Sequence, residues 1–407
     1  MELANLNLCK NLDTLINNIQ GIDKESASPS DIWFITFKPG TTFNGKPVDT
    51  GVIKIYFSPH NTFPIQDEFT DYLKGLEYEA SVYEKIIDPL VVKRLCPFFI
   101  TMFGRGKDCS FDDVVHILYR GVGDLSQAEK NLTRNFQMIW GDIPHIPAIT
   151  RDRNPPIPSD VKINVIDKDF SFMLLRKFTT IHYSLRDYMR SVRSYDESKF
   201  WLILFQVCVG LYALELSKTV HNDLHSNNIV IEELDRPEEI IQFIEDENST
   251  PTAYKFTTKY RTVIFDFDRA YAMQLGNNDL LDIYCTDQAG HQCNHFIKNR
   301  DVVQLFCKLM TEKSLNPRPL LEVVTRDFLS FVSFTETKRY CTSYNIPPGV
   351  YDLPRIILNC AERAYDHIET SQRPEQIRQW HRAHPDTFFH LFDDEFDGSG
   401  KYRGPAQ

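Results

Sequence analysis

Apolar and polar positions alternate along this chain with a period that changes from segment to segment. IWFITF (32–37) and GVIKIYF (51–57) are short runs rich in β-branched and aromatic residues, joined by a stretch bearing Pro, Gly and Asn, which predicts an antiparallel pair of strands. DEFTDYLKGLEYEASVYEKIID (67–88) instead carries Leu73, Leu76, Ala80, Tyr83 and Ile87 at helical spacing. PFFITMFGR (97–105) and FSFMLLRKF (170–178) have strand character. Between them, 106–165 is heterogeneous and its NPPIPSD (154–160) forbids regular structure, so it reads as an insertion.

Beyond 178 the pattern becomes mostly helical. SLRDYMRSV (184–192) is a short helix, and FWLILFQVCVGLYALEL (200–216) is apolar throughout except at Gln206, Gly210 and Glu215. That run is too short and too interrupted for a bilayer span and predicts a buried core helix. HNDLHSNNIV (221–230) follows, polar and then abruptly apolar. A strand NIVIEEL, an acidic insertion over 232–258 expected to be solvated, and a strand YRTVIFDFD (260–268) come next. From 299 onward RDVVQLFCKLM, LLEVVTRDFLSFV and LPRIILNCAERAYDHI are helical patterns, and 396–407 reads as a loose tail.

Composition narrows the class. With 407 residues the chain can bury a large core without disulfides, and nine widely spaced cysteines, an odd number, fit reduced thiols and an intracellular setting. The opening MELANLNLCK has neither a basic flank nor an apolar core, so no secretory signal is expected. A net charge of −11 argues against a general nucleic-acid binder.

The chemistry concentrates in three places. Asp223 and Asn228 stand five residues apart in a loop entering a strand, and VIF (263–265) delivers Asp266 and Asp268 at the end of another. Carboxylates with an amide oxygen are ligands for a hard cation such as Mg²⁺ that also takes phosphate oxygens. Lys54 shares a strand face with Val52 and Tyr56, where a lysine needs a counter-charge or a phosphate. Glu79 in the following helix offers one, with Glu77 and Glu84 as competitors. GTTFNGKP (40–47) comes close to a phosphate-binding glycine loop, but Pro47 lacks both hydroxyl and N–H, and a hairpin is expected instead. Cys285, His291, Cys293 and His295 lack the spacing of a zinc knuckle.

Taken in order, these residues resemble the protein-kinase signature. His221-Asn222-Asp223-Leu224 through Asn228 matches H-R-D-L-x-x-x-N, Asp266-Phe267-Asp268 matches D-F-G, and Val52-Ile53-Lys54 is a looser match to V-A-I-K. His225, where common kinases carry lysine, makes the loop similar to haspin-like kinases and to the atypical serine/threonine protein kinases of large nucleocytoplasmic DNA viruses. The resemblance covers most of 20–365. It implies a two-lobed α+β fold: a small antiparallel-sheet lobe over 1–178, a mainly helical lobe over 179–395, and ATP in the cleft between them. It also implies transfer of the γ-phosphate to Ser/Thr hydroxyls of a protein substrate, in host cytoplasm or virion if viral, with no specific nucleic acid and no membrane span. Asp223 would be the catalytic base, Asn228 and Asp266 would hold Mg²⁺, and Lys54, fixed by Glu79, would contact the ATP phosphates. His221 and Asp301 would brace the loop.

The sequence departs from that signature in three further ways. GIDKESASPSD (21–31) stands where a glycine-rich loop is expected, Asn222 replaces the usual arginine, and Asp268 replaces the glycine. His225 and Asp268 also fit the aminoglycoside- and choline-type small-molecule phosphotransferases. The missing glycines raise the further alternative of a pseudokinase scaffold.

Overall fold

The computed structural model describes residues 8–24, 31–43, 46–57, 77–110, 113–114, 116–117, 170–179, 181–191, 197–245, 250–279, 281, 293–311 and 352–392. Most of the 106–165 insertion, residues 25–30, the pattern at 320–332, Cys285, His291 and the 396–407 tail lie outside them. The protein is a mixed α+β chain, and among the described strands the sheets are antiparallel apart from one parallel pairing. It divides into two compact units, Met1–Ala80 with Thr101–Lys177, and Ser81–Ile100 with Phe178–Gln407. Ser81–Ile100, on the first side of the sequence boundary at 178, thus belongs with the second unit.

In the first unit, helix α1 (Leu12–Asn18) precedes a five-stranded antiparallel sheet. Its strands are β1 (Ile19–Lys24), β2 (Asp31–Phe37), β5 (Thr50–Phe57), β6 (Met102–Cys109) and β7 (Phe170–Arg176), in the order β1-β2-β5-β7-β6. Residues 19–24 are a strand that the sequence pattern did not mark. PFFITMFGR enters its strand only at Met102, and the strand then runs four residues into the expected insertion. The period of two sorts the faces: Trp33, Ile35, Phe37, Ile53, Ile55, Phe172 and Leu174 form one core with Leu15 and Ile19. Lys54 therefore points to the other face. GTTFNGKP is a hairpin, with β3 (Thr42–Phe43) paired to β4 (Lys46–Pro47). Cys9 and Cys109 are joined as a disulfide, with Cα atoms 5.3 Å apart, against the expectation that all thiols are reduced.

Residues 77–92 are helical, with a π-helical middle at Tyr83–Ile87 and an α-helical end, α2 (Asp88–Val92). In the second unit α3 (Leu185–Ser191) is followed by α4 (Glu197–Leu216), which is buried from Phe200 to its end. Among the described residues α4 is the one helix long and apolar enough to cross a membrane, and 94% of its apolar window is buried inside the protein. Each interruption in α4 has a structural use. Gln206 donates to the Tyr260 carbonyl (2.9 Å) and accepts the Thr262 N–H (2.9 Å), stitching the helix to a strand. At Gly210 a β-carbon would come within 2.8 Å of Ile264 Cδ1, so the Ile264 side chain packs directly against the helix backbone. Glu215 accepts the Asn299 N–H (2.9 Å) where the next helix begins.

The strand so held is β11 (Thr252–Ile264), paired antiparallel with β10 (Ile229–Glu245). This overturns the solvated acidic insertion. Pro237, with Asp235 and Arg236 exposed beside it, sits in a bulge between Glu233 and Glu238, where an N–H is not required, and the ladder resumes on its far side. Glu232 is fully buried, accepting from the Arg261 guanidinium (3.1 Å) and the Thr179 N–H (2.9 Å). The far end of the ladder is widened by β13 (Ile368–Ser371) and, in parallel, by β14 (Phe388–Phe392). Helix α7 (Pro374–Ala383) covers it through Trp380, which packs with Ile241, Phe243, Ala253 and Phe388. Strands β8 (His182–Ser184), β9 (Thr219–Val220) and β12 (Tyr271–Ala272), with helices α5 (Arg300–Thr311) and α6 (Leu353–Arg363), complete the unit.

Replacing Gln206 by Leu leaves the buried Thr262 amide without its acceptor, a cost of about 1–3 kcal/mol. Urea denaturation should show a lowered midpoint with an unchanged slope; an unaltered midpoint would contradict this role.

Candidate functional site

Two clusters carry the titratable and coordinating side chains singled out by the sequence. In the first unit, Lys54 Nζ lies 2.8 Å from Glu79 Oε2, with side chains 12% and 1% exposed. Glu77 and Glu84 are exposed and do not fill that place. A carboxylate this deeply buried needs a cation, and removing either partner strands a charge at a cost of about 3–5 kcal/mol.

The second cluster is built on the loop 221–228. It leaves β9, turns tightly through hydrogen bonds from Asp223 N–H to the His221 carbonyl (2.8 Å) and from Asn228 N–H to the His225 carbonyl (2.9 Å), and enters β10. Antiparallel pairing of Ile229 with Ile264 sets Asn228 beside Phe265, whose N–H donates to the Asn228 carbonyl at 3.2 Å. Asp266 is next along the chain. Strand register is therefore what brings Asn228 and Asp266 together. Asp266 has φ +69°, a left-handed conformation that costs a non-glycine residue about 1–3 kcal/mol and clusters at functional sites. Its N–H donates to the Tyr83 hydroxyl (3.2 Å), and Phe267 behind it is fully buried among Tyr83, Phe99 and His221.

Helix α5 holds the loop from below. Asp301 accepts the His221 N–H (2.7 Å) and the Asn222 N–H (3.2 Å), and Gln304 donates to the Asn222 carbonyl (3.0 Å). Burial pushes the Asp301 carboxyl upward, opposed by His221 and by the two amides. His221 donates from Nε2 to the Phe265 carbonyl (2.9 Å), linking the loop to the segment bearing Asp266. Asn222 has φ +62° and donates to the Cys293 carbonyl (3.1 Å), so an asparagine serves here as a left-handed backbone position with a buried amide. Asp268 is not among the left-handed residues, and an aspartate stands there without the freedom a glycine provides.

Asp223 is 22% exposed and ringed by cations: Lys308 Nζ is 3.4 Å from Oδ1 and Arg269 Nη1 is 3.2 Å from Oδ2. His225 Nε2 lies 3.9 Å from Oδ2. Burial lowers the His225 pKa, with Lys308 and His221 in the same sense, while the charges of Asp223 and Asp266 pull the other way. The amide nitrogen of Asn228 donates to the Asp223 carbonyl (3.1 Å), which leaves Oδ1 as the oxygen available to a cation.

Sequence reasoning did not single out Lys308, Gln304, Arg269 or the Tyr83 hydroxyl. One signal was available: Asp301, Gln304 and Lys308 recur at i, i+3 and i+7, a polar stripe on an otherwise apolar helix. A scan against protein-family models finds no match to the chain, and a search of curated proteins finds no relative.

Glu215 sits at the start of the helix that holds the loop. Burial raises its pKa to about 7, countered by the Asn299 N–H, Lys298 and Lys218 and reinforced by Asp352. The folded protein therefore binds more protons here than the unfolded chain between the ordinary carboxylate pKa and 7. Stability should fall as pH rises through that window, by on the order of 3 kcal/mol, and level off above it. Melting curves from pH 4.5 to 7.5 test this: Glu215→Gln should flatten the slope, and an equal slope in both proteins would assign it to other groups.

Proposed function

We propose that the chain is an ATP- and Mg²⁺-dependent serine/threonine protein kinase with the two-lobed protein-kinase-like fold, the two units corresponding to its lobes. The likeness of HNDLHSNN to the loop of the kinases of large nucleocytoplasmic DNA viruses supports this reading. The observation that carries this reading is the second cluster, in which one carboxylate on α5 fixes the backbone of the Asp223 loop while strand pairing sets Asn228 beside the left-handed Asp266. Packing alone does not call for this combination. The buried Lys54–Glu79 pair in the first unit supports the same reading, since an oriented ammonium suits phosphate oxygens.

The donor set fits a hard cation. Asp266 offers a carboxylate and Asn228 an amide oxygen, and Mg²⁺ is commonly bound by one or two protein oxygens with phosphates and water supplying the rest. Among the described residues no group of three or more His, Cys, Asp or Glu is arranged for metal, and this mode of binding needs none. Asn228 and Asp266 would hold Mg²⁺, whose contribution is to neutralise phosphate charge. Asp223 would orient the acceptor hydroxyl and take its proton, and Arg269 would keep the carboxylate directed. His221 and Asp301 would act only through the backbone they hold.

The roles separate by mutation. Mg-ATP at 100 times its Kd should stabilise the protein by about 2.7 kcal/mol, read as a rise in melting temperature. Asp266→Asn should lose most of that rise. Asp223→Asn should keep it and lose about 10²–10⁴-fold in turnover. A wild type that Mg-ATP does not stabilise favours a scaffold. Stabilisation with phosphate passed to an aminoalcohol or a sugar, and none to protein, favours a small-molecule phosphotransferase.

A further inference from the structure

Resting on the phosphotransfer reading, we propose that Lys308 is a catalytic residue: an ammonium delivered by helix α5 that neutralises the phosphoryl oxygens as they approach Asp223. The need arises from charge. A carboxylate base must stand next to a phosphoryl group that is itself anionic, and a fixed cation at that point removes the repulsion and stabilises the charge spread over the transferring group. The loop does not supply one, since HNDLHSNN has no lysine or arginine. Its His225 ring approaches the Asp223 carboxylate, with Nε2 3.9 Å from Oδ2.

Lys308 stands where the need lies. Its Nζ is 3.4 Å from Asp223 Oδ1, and at 37% and 22% exposure the two side chains form a pair that is not sealed from an incoming group. Its placement is exact to the helix turn, because Asp301 and Gln304 on the same stripe bind the backbone of residues 221 and 222. One rigid element thus sets both the loop bearing the base and the cation beside it, the arrangement that preorganised stabilisation requires. Arg269 meets the other oxygen, Oδ2, from the segment after Asp268, so each carboxylate oxygen has its own cation.

In the transfer step the acceptor oxygen bonds to the γ-phosphorus as the bond from that phosphorus to the β,γ-bridging oxygen breaks. ADP leaves with the electron pair, the hydroxyl proton passes to Asp223, and nothing is oxidised or reduced. Lys308 transfers no proton and exchanges part of its contact with Asp223 for the phosphoryl oxygens.

The experiment uses the full chain with Mg-ATP and a casein–histone mixture as acceptor, comparing wild type, Lys308→Met, Lys308→Gln and Lys308→Arg. The expected result is a fall in kcat of about 10²-fold for Met and Gln, the usual loss for one preorganised donor. KM for ATP should move less than threefold, the Mg-ATP melting shift should persist, and Arg should recover at least tenfold over Gln. Should Met lower the melting temperature, the Gln–Arg comparison decides, because it changes charge while keeping polar reach. A kcat within threefold of wild type in Gln, or an Arg variant no better than Gln, overturns the role of Lys308 and leaves the kinase reading standing. A wild type that transfers no phosphate sinks the reading and this assignment together.

Discussion

A single carboxylate, Asp301, accepts two consecutive backbone amides across 80 residues of chain, and the geometry of the second unit's site depends on it. It is buried, so losing those two N–H groups would leave an under-satisfied carboxylate largely out of reach of water. That asymmetry makes the contact directive: the loop cannot drift without stranding Asp301. Through Asn222, held left-handed at φ +62°, the constraint passes to Asp223, and through His221 it passes to the Phe265 carbonyl and the segment bearing Asp266.

A second constraint runs through the helix in front of the loop. α4 is almost uniformly apolar, and its polar and small positions are where it touches the site's supports. Gln206 and Gly210 fix β11 laterally, which sets where Phe265 and Asp266 emerge, while Glu215 fixes the entry to α5. The site is thus suspended between one strand pair and two helices. Its functional side chains carry little of that load: the contacts that fix the loop run through the backbone of residues 221 and 222, while Lys308 and Arg269 meet the Asp223 carboxylate.

Much of this was legible in the sequence. The loop, the strand before Asp266, Lys54 on a strand face shared with Val52 and Tyr56, and Asp301 ahead of an apolar run all follow from period and residue type. The Lys54–Glu79 pair and the bracing of the loop were anticipated from the resemblance and are present as hydrogen-bonded contacts. Other features were hidden for identifiable reasons. Pro237 among acids reads as a break, yet a proline in a bulge interrupts a ladder without ending it, and Glu232 reads as solvated although Arg261 draws it inside. Strands β13 and β14 are four and five residues long and have a pattern only in the company of β10 and β11. Lys308 escaped notice because a cation on an amphipathic helix is ordinarily a solvated one; its partner lies 85 residues away.

The most direct test of phosphotransfer is labelling of a mixed protein pool with γ-labelled ATP and Mg²⁺ by the wild type and by Asp266→Asn, followed by hydrolysis and identification of the labelled amino acids. The account predicts phosphoserine or phosphothreonine with the wild type and its loss in the variant. Labelling that survives Asp266→Asn unchanged, or an absence of labelled protein with the wild type, would contradict it.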